Sequence, residues 1–351
     1  MTQLTLEERA EVLRVFPFSR SALLNGLDPH KNRIFRAFMV SPEATPFYKY
    51  GVRMVAYVAF GEFPQIKYLA ALGTLIGAEF EKQLEGKTVL VIPTSGNFGI
   101  ACAAAAPGFG IETAVVVIKI DTVQQKVALM TVAPTAEIRM VQAGKKFPTV
   151  LQRAEQEASW RGSDALLLDQ FRGTFAEWNR TSHYVWTAPS LFNASPVVPK
   201  AVSAFGGTCA TARALKDFCN AQGYDTECVL TAVAPGEELP GGRGWNEIQR
   251  DGGTLELNDL LVQGRDRPIE VGRLEALDAM LSLSKDIPVS PGATSAGAYC
   301  AMRKYLELRF ENGTAEQMRG SDGLIPVGFV CPDSSSSHVE RVTASVNFSA
   351  R

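Results

Sequence analysis

Thr94-Ser95-Gly96-Asn97-Phe98-Gly99 is the stretch on which the reading of this chain turns. Residues 89–92 before it form an apolar, β-branched run with the character of a buried parallel strand. Residues 100–106 after it are small and apolar, and read as a helix. The motif therefore sits on a tight strand-to-helix turn. Such a turn aims backbone N–H groups and the positive end of a helix dipole at one point, where an anion is stabilised. Gly96 and Gly99 admit a close backbone approach, and Asn97 offers both a donor and an acceptor. Alone, the motif also fits an ordinary βα loop.

Working outward, strands and helices alternate. Strands are expected at 54–60, 88–92, 113–119, 136–141, 165–168, 200–204, 228–234 and 324–331. Helices are expected at 68–83, 97–106, 122–133, 148–160, from the Gly206-Gly207 turn to Phe218, and at 294–310. This is the βαβ rhythm of parallel sheets covered on both faces. Residues 1–45 read as an arm with one short helix at 6–16; 174–190 is a polar interruption, 235–244 a Gly- and Pro-rich loop, and Ser334 to Ser337 a loop or frayed segment.

Two further stretches extend the pattern. Upstream lies Gly61-Glu62-Phe63-Pro64-Gln65-Ile66-Lys67-Tyr68-Leu69-Ala70, and downstream Ala204-Phe205-Gly206-Gly207-Thr208 closes an apolar strand. A lysine at a helix start, a TSGN loop and a GGT turn, in this order and spacing, resemble the fold-type II pyridoxal-phosphate (PLP) enzymes. Cysteine synthase and cystathionine β-synthase, in the tryptophan synthase β superfamily, are the most similar in look. The resemblance runs from about Thr45 to Asp333. It implies two three-layer αβα domains with mostly parallel sheets and PLP in the cleft between them. The smaller domain would comprise residues 50–171 and the larger one 1–49 plus 172–351.

The resemblance also implies roles. Lys67 would be the Schiff-base lysine, a role that needs an amine uncharged near neutral pH, which burial favours. Asn97 would bond the 3′-hydroxyl of the PLP ring. Thr94, Ser95 and Gly96, with Asn97, would take the substrate carboxylate together with Gln170 of the Gln-Phe pair. Residues Ala204, Phe205, Gly206, Gly207 and Thr208 would form the phosphate cup, and Ser295 would face the pyridine nitrogen. Two departures stand out: Gly61-Glu62-Phe63-Pro64 replaces the usual Asn-Pro and Ser or Thr before the lysine, and Ala204-Phe205 replaces Gly-Thr in the cup. On the residues alone, Lys67 also reads as a solvated helix lysine, Gln170 as a surface glutamine and Ser295 as an ordinary helix N-cap, with Thr294 the alternative in register for the ring-facing hydroxyl.

The implied reaction is PLP-dependent β-replacement on an O-activated serine-like amino acid, through an aminoacrylate. A hydroxyl at the ring nitrogen suits it, because the ring is then a weaker electron sink than one held protonated by a carboxylate. Rivals are β-elimination, of the serine/threonine dehydratase or desulfhydrase kind, and a PLP-free binding or regulatory homologue. Composition agrees with an enzyme of two domains: 351 residues, 46% of them hydrophobic. A net charge of −2 with no basic run argues against nucleic acid as a partner. No run has the length of a membrane span, and the polar N-terminus does not read as a signal peptide. Six cysteines without a C-x-x-C pair, and three scattered histidines, predict reduced thiols and no metal site. A cytoplasmic homodimer acting on a small amino acid is the expectation.

Overall fold

The computed structural model describes residues 4–59, 66–94, 96–118, 136–141, 147–239, 241–251, 257–262, 265–287 and 290–332. The described elements, in chain order, are α1 (Leu6–Val15), α2 (Ala22–Gly26), β1 (Arg36–Met39), β2 (Val52–Val58), α3 (Lys67–Phe80), β3 (Val89–Thr94), α4 (Asn97–Ala105), β4 (Thr113–Ile118), β5 (Glu137–Met140), α5 (Phe147–Arg161) and β6 (Ala165–Leu167). They continue with α6 (Gly173–Ser182), a π-helical turn His183–Thr187, α7 (Ala188–Ala194), β7 (Ala201–Phe205), α8 (Ala210–Gln222), β8 (Glu227–Val233), α9 (Trp245–Asp251), β9 (Ile269–Val271), α10 (Arg273–Asp286), α11 (Ala293–Glu311) and β10 (Ile325–Cys331). The chain divides into two compact units, one of residues 1–32, 67–185 and 339–351, the other of 33–66 and 186–338.

The first unit is built on a parallel four-stranded sheet in the order β5-β4-β3-β6. Alternation along β4 sends neighbouring side chains to opposite faces. Val115 and Val117 join Val91 in a core with Val150 and Ala154 of α5. Val116 points the other way, to α4, where a methyl added at Gly99 would stand 2.9 Å from its Cγ1. Helices thus cover both faces.

Polar as it is, the stretch after β6 is helical. Glu177, Asn179, Thr181, Ser182 and His183 are all buried. Thr181 and Ser182 donate to the backbone oxygens of Glu177 (2.8 Å) and Asn179 (2.7 Å). Glu177 pairs with Arg9 of α1 at 2.9 Å, and α1 is itself started by a Thr5–Glu8 capping box. Helix α6 packs on α3 through two glycines, since a methyl at Gly73 would meet Ser182 Cβ at 2.4 Å and one at Gly77 would meet Trp178 Cγ at 2.2 Å. Glu81, one residue past α3, accepts from Trp178 Nε1 (2.7 Å) and Thr174 Oγ1 (2.6 Å). α3 is therefore a seated helix, and Lys67 is its first residue.

The second unit carries a six-stranded sheet, β1-β2-β10-β7-β8-β9, parallel except for β1. This division differs from the expected 50–171 against the remainder at β2, at residues 1–32 and at α6. β2 pairs with β10 along its whole length, from Val52↔Ile325 to Val58↔Cys331, and so belongs to the second unit. Residues 1–32 and α6 cluster with the first unit, through contacts such as Arg9–Glu177 and the α3 glycines. The helix expected at 122–133 and the loop Ser334 to Ser337 lie outside the described residues.

Candidate active site

In the first unit the TSGN turn is shaped from within. The Thr94 hydroxyl, fully buried, accepts from the Gly96 N–H (3.0 Å) and the Gly99 N–H (3.1 Å) and donates to Gly96 O (3.2 Å). All its hydrogen-bonding capacity stays in the turn, so its bearing on a ligand is through the backbone it sets. Gly96 caps α4 at φ 152° and ψ −106°, a conformation essentially reserved to glycine. Asn97 follows as the first residue of α4 and is partly exposed. Ser95 lies outside the described residues.

Gln170 comes to the same sheet edge. β6 runs parallel to β3 (Val91↔Leu167), and Leu168 donates to Val91 O at 2.9 Å. Three residues beyond Val91 stands Thr94, and three beyond Leu167 stands Gln170. Ligands of open parallel sheets bind at this carboxyl-terminal edge. Gln170 is 3% exposed, and its carboxamide oxygen has no hydrogen-bond partner among the described residues. A buried amide in that condition points to a polar ligand.

Lys67 acts electrostatically on two buried neighbours. His183, fully buried in the π-helical turn, is pushed down to about 3, first by burial and then by the Lys67 charge. Burial raises the Cys102 thiol well above its ordinary value, against a smaller opposing pull from Lys67. Lys67 itself is half-buried at the head of α3.

In the second unit three stretches converge. The Gly206 N–H donates to Thr231 O (2.7 Å), and Gly206 O accepts from the Arg243 N–H (3.0 Å). A methyl at Gly206 would stand 2.8 Å from both Thr231 O and Ile248 Cδ1, so the position admits only glycine. The Gly206 amide is thus engaged within the fold, and the residues after it lead into α8. Thr208 Oγ1 accepts from the Ala210 N–H at 3.4 Å, and Cys209 holds a left-handed φ of 61° before the helix. Strain of that kind gathers at ligand clamps. A methyl at Gly207 would stand 3.2 Å from Gly241 O, and one at Gly241 3.1 Å from Thr294 Cγ2. Ser295, fully buried, lies in the first turn of α11, which Ser203 of β7 holds by a 2.6 Å bond to Ala298 O. Ala204 is buried in β7 and Phe205 is its last residue.

Residues 241–243 were not singled out by sequence reasoning. The Gly-Gly pair at 241–242 was their signal, read only as loop composition. Among the described residues no group of His, Cys, Asp or Glu is placed to hold a metal, and no helix is long and apolar enough to cross a membrane.

The first unit holds a lysine-headed helix and a glycine-capped amide turn, and the second a glycine cradle at a helix start, the features that the sequence led us to expect of a PLP-dependent enzyme. The residues present in the second unit fit that cofactor's phosphate, given the narrow Gly206-Gly207 cradle ahead of α8. The chain belongs to the family described as "Pyridoxal-phosphate dependent enzyme", whose model matches residues 66–315. Among curated relatives, cysteine synthase B of Pseudomonas aeruginosa is 26% identical over 250 residues, covering 70% of this chain and 78% of that one. Cysteine synthase A of Escherichia coli is 24% identical over 241 residues, covering 66% and 72%. Among solved structures, O-ureido-L-serine synthase superposes with a TM-score of 0.68 at 17% identity, over 89% of this chain and 92% of that one.

Proposed function

We propose that this PLP-dependent enzyme catalyses β-replacement on an O-activated serine, with the residues expected from the sequence in the roles given there. Cysteine synthases among its curated relatives support the reaction type. The observation that carries the residue assignment is Lys67 at the head of a helix seated by Gly73 and Gly77, with its charge felt by buried His183 and Cys102.

When bound, PLP supplies the electron sink that acidifies the substrate α-proton and lets the β-substituent leave. Lys67 would hold the cofactor covalently, and its amine, when free, would take the substrate α-proton. In the turn that Thr94 shapes, the amides of Ser95 and Asn97 would hold the substrate carboxylate together with Gln170, since the Thr94 hydroxyl engages those of Gly96 and Gly99. Asn97 bonds the ring hydroxyl. The amides from Gly207 onward, with Thr208, hold the phosphate, while Gly206 keeps the cradle open. Ser295 presents a neutral hydroxyl to the ring nitrogen. The protein works as a cytoplasmic homodimer, which light scattering would check.

Borohydride reduction followed by peptide mapping tests the assignment. The pyridoxyl group is expected on Lys67, and its appearance on another lysine overturns it. Supplying an O-activated serine with and without a thiol or sulfide nucleophile then separates replacement from elimination. A substituted amino acid is expected; pyruvate and ammonia as the only products would establish elimination instead.

A further inference from the structure

The departure at Ala204-Phe205 has a structural counterpart two segments away. A methyl built at Gly297 would stand 2.1 Å from Phe205 Cε2 and 2.5 Å from Cδ2. One built at Gly242 would stand 2.4 Å from Phe205 Cε1. Cε1 and Cε2 are opposite edges of one ring, so the ring is gripped between two glycines, from the 241–243 turn on one side and α11 on the other. Any side chain at either position would have to share the space of a phenyl ring.

The ring also sits between two fixed ties. On its strand side, Ser203 Oγ donates to Ala298 O at 2.6 Å. On its loop side, Gly206 O accepts from the Arg243 N–H at 3.0 Å, and Val233 N–H donates to Arg243 O at 3.0 Å. Phe205 itself pairs with Thr231 in the sheet. Through these ties it meets the three stretches that carry Gly207, Gly241 and Ser295.

We propose that Phe205 is a positioning wedge, which by filling the slot between Gly242 and Gly297 fixes the phosphate cradle relative to the α11 turn bearing Ser295. Where the resembling enzymes carry Gly-Thr, this chain sets the same parts by apolar packing. Packed interiors transmit such displacements, because a ring moves as a rigid body and cannot compress. The proposal deepens the cofactor reading above and rests on it for what the cradle holds.

The test is a double-mutant cycle between positions 205 and 297, read by PLP affinity, by the phosphorus-31 NMR shift of the bound phosphate and by thermal melting. Gly297→Ala is expected to displace the ring, weaken PLP binding about tenfold or more, and move the phosphorus resonance. Phe205→Ala alone is expected to weaken PLP binding and move the phosphorus resonance, less than Gly297→Ala does, and a Phe205→Ala protein that matches wild type in both overturns the wedge. Adding Phe205→Ala to Gly297→Ala is expected to recover the melting temperature and to bring affinity and shift back to those of Phe205→Ala, because the methyl then has room. If Gly297→Ala does not fold while the double variant folds and binds PLP, the steric relation stands. Failure of both to fold, a Gly297→Ala protein that matches wild type, or a double variant no better than Gly297→Ala overturns the wedge. Wild-type protein with no pyridoxyl group on Lys67 would overturn the cofactor reading instead. The melting cycle alone then decides the wedge, and absence of coupling between 205 and 297 ends it.

Discussion

Acidifying the solution should weaken this protein by an amount that one histidine sets. His183 is fully buried and its imidazole is held down to about 3, chiefly by burial. In the unfolded chain it titrates near 6.5. The folded state therefore keeps it neutral while the unfolded state takes up a proton, so stability is complete above about pH 6.5 and is lost as pH falls toward about 3. At pH 5 the unfolded histidine is about 1.5 units below its midpoint, a loss of about 2 kcal/mol at 1.36 kcal/mol per unit. The ceiling, near pH 3, is about 5 kcal/mol. Urea unfolding followed by the fluorescence of the four tryptophans, at pH 7.5 and pH 5, reads this directly. Carboxylates contribute too, so the comparison is with His183→Asn in the same cofactor state, where their share cancels. Wild type should lose about 2 kcal/mol more than the variant between the two pH values. Equal losses would show that the imidazole is hydrated or charged in the folded protein, and the account of the Lys67 surroundings would fail with it.

Gly77→Ala should lower the urea midpoint by an equivalent of about 1–3 kcal/mol and reduce covalent cofactor loading on Lys67, because its methyl would stand 2.2 Å from the fully buried Trp178 ring on the helix that Lys67 heads. Ser295→Asp should retain PLP, slow turnover of β-substituted substrates and lengthen the wavelength of absorbance, whereas Ser295→Ala should cost about 0.5–1.5 kcal/mol of transition-state stabilisation in steady-state kinetics. Glu227→Ala should destabilise by about 1–3 kcal/mol in urea unfolding, because the Tyr305 hydroxyl (2.6 Å) and the Arg309 guanidinium both lose their carboxylate acceptor.

The turn at 94–97 was legible because its signal is local. An apolar run, a small hydroxyl residue and two glycines dictate strand, cap and helix within ten residues, and α4 begins at Asn97 as read. The same holds for Gly206-Gly207 and for α11, read as 294–310 and found as Ala293–Glu311. The stretch 174–190 was not legible, since its polar residues imitate a loop. They are helical because Arg9 and Glu81, which lie far away in sequence, and neighbouring backbone oxygens satisfy them in the interior. Strand β1 was folded into the arm, and α10 was not marked, with only Glu275, whose carboxylate accepts from the Gly272 N–H at 3.4 Å, to announce it. The grip on Phe205 was hidden for a related reason. Gly242 and Gly297 acquire meaning only when a ring from a third segment lies between them.

β2 has a consequence for how the chain is made. Its partner in the sheet is β10, so residue 52 waits for residue 325. At ribosomal speeds of about 5–20 residues per second, that wait is on the order of tens of seconds. Throughout it, an apolar strand whose Met54, Ala56 and Tyr57 are fully buried in the finished fold has no native neighbour but β1. Chaperone demand during synthesis, and loss of the second unit when the chain stops short of β10, follow from this one pairing.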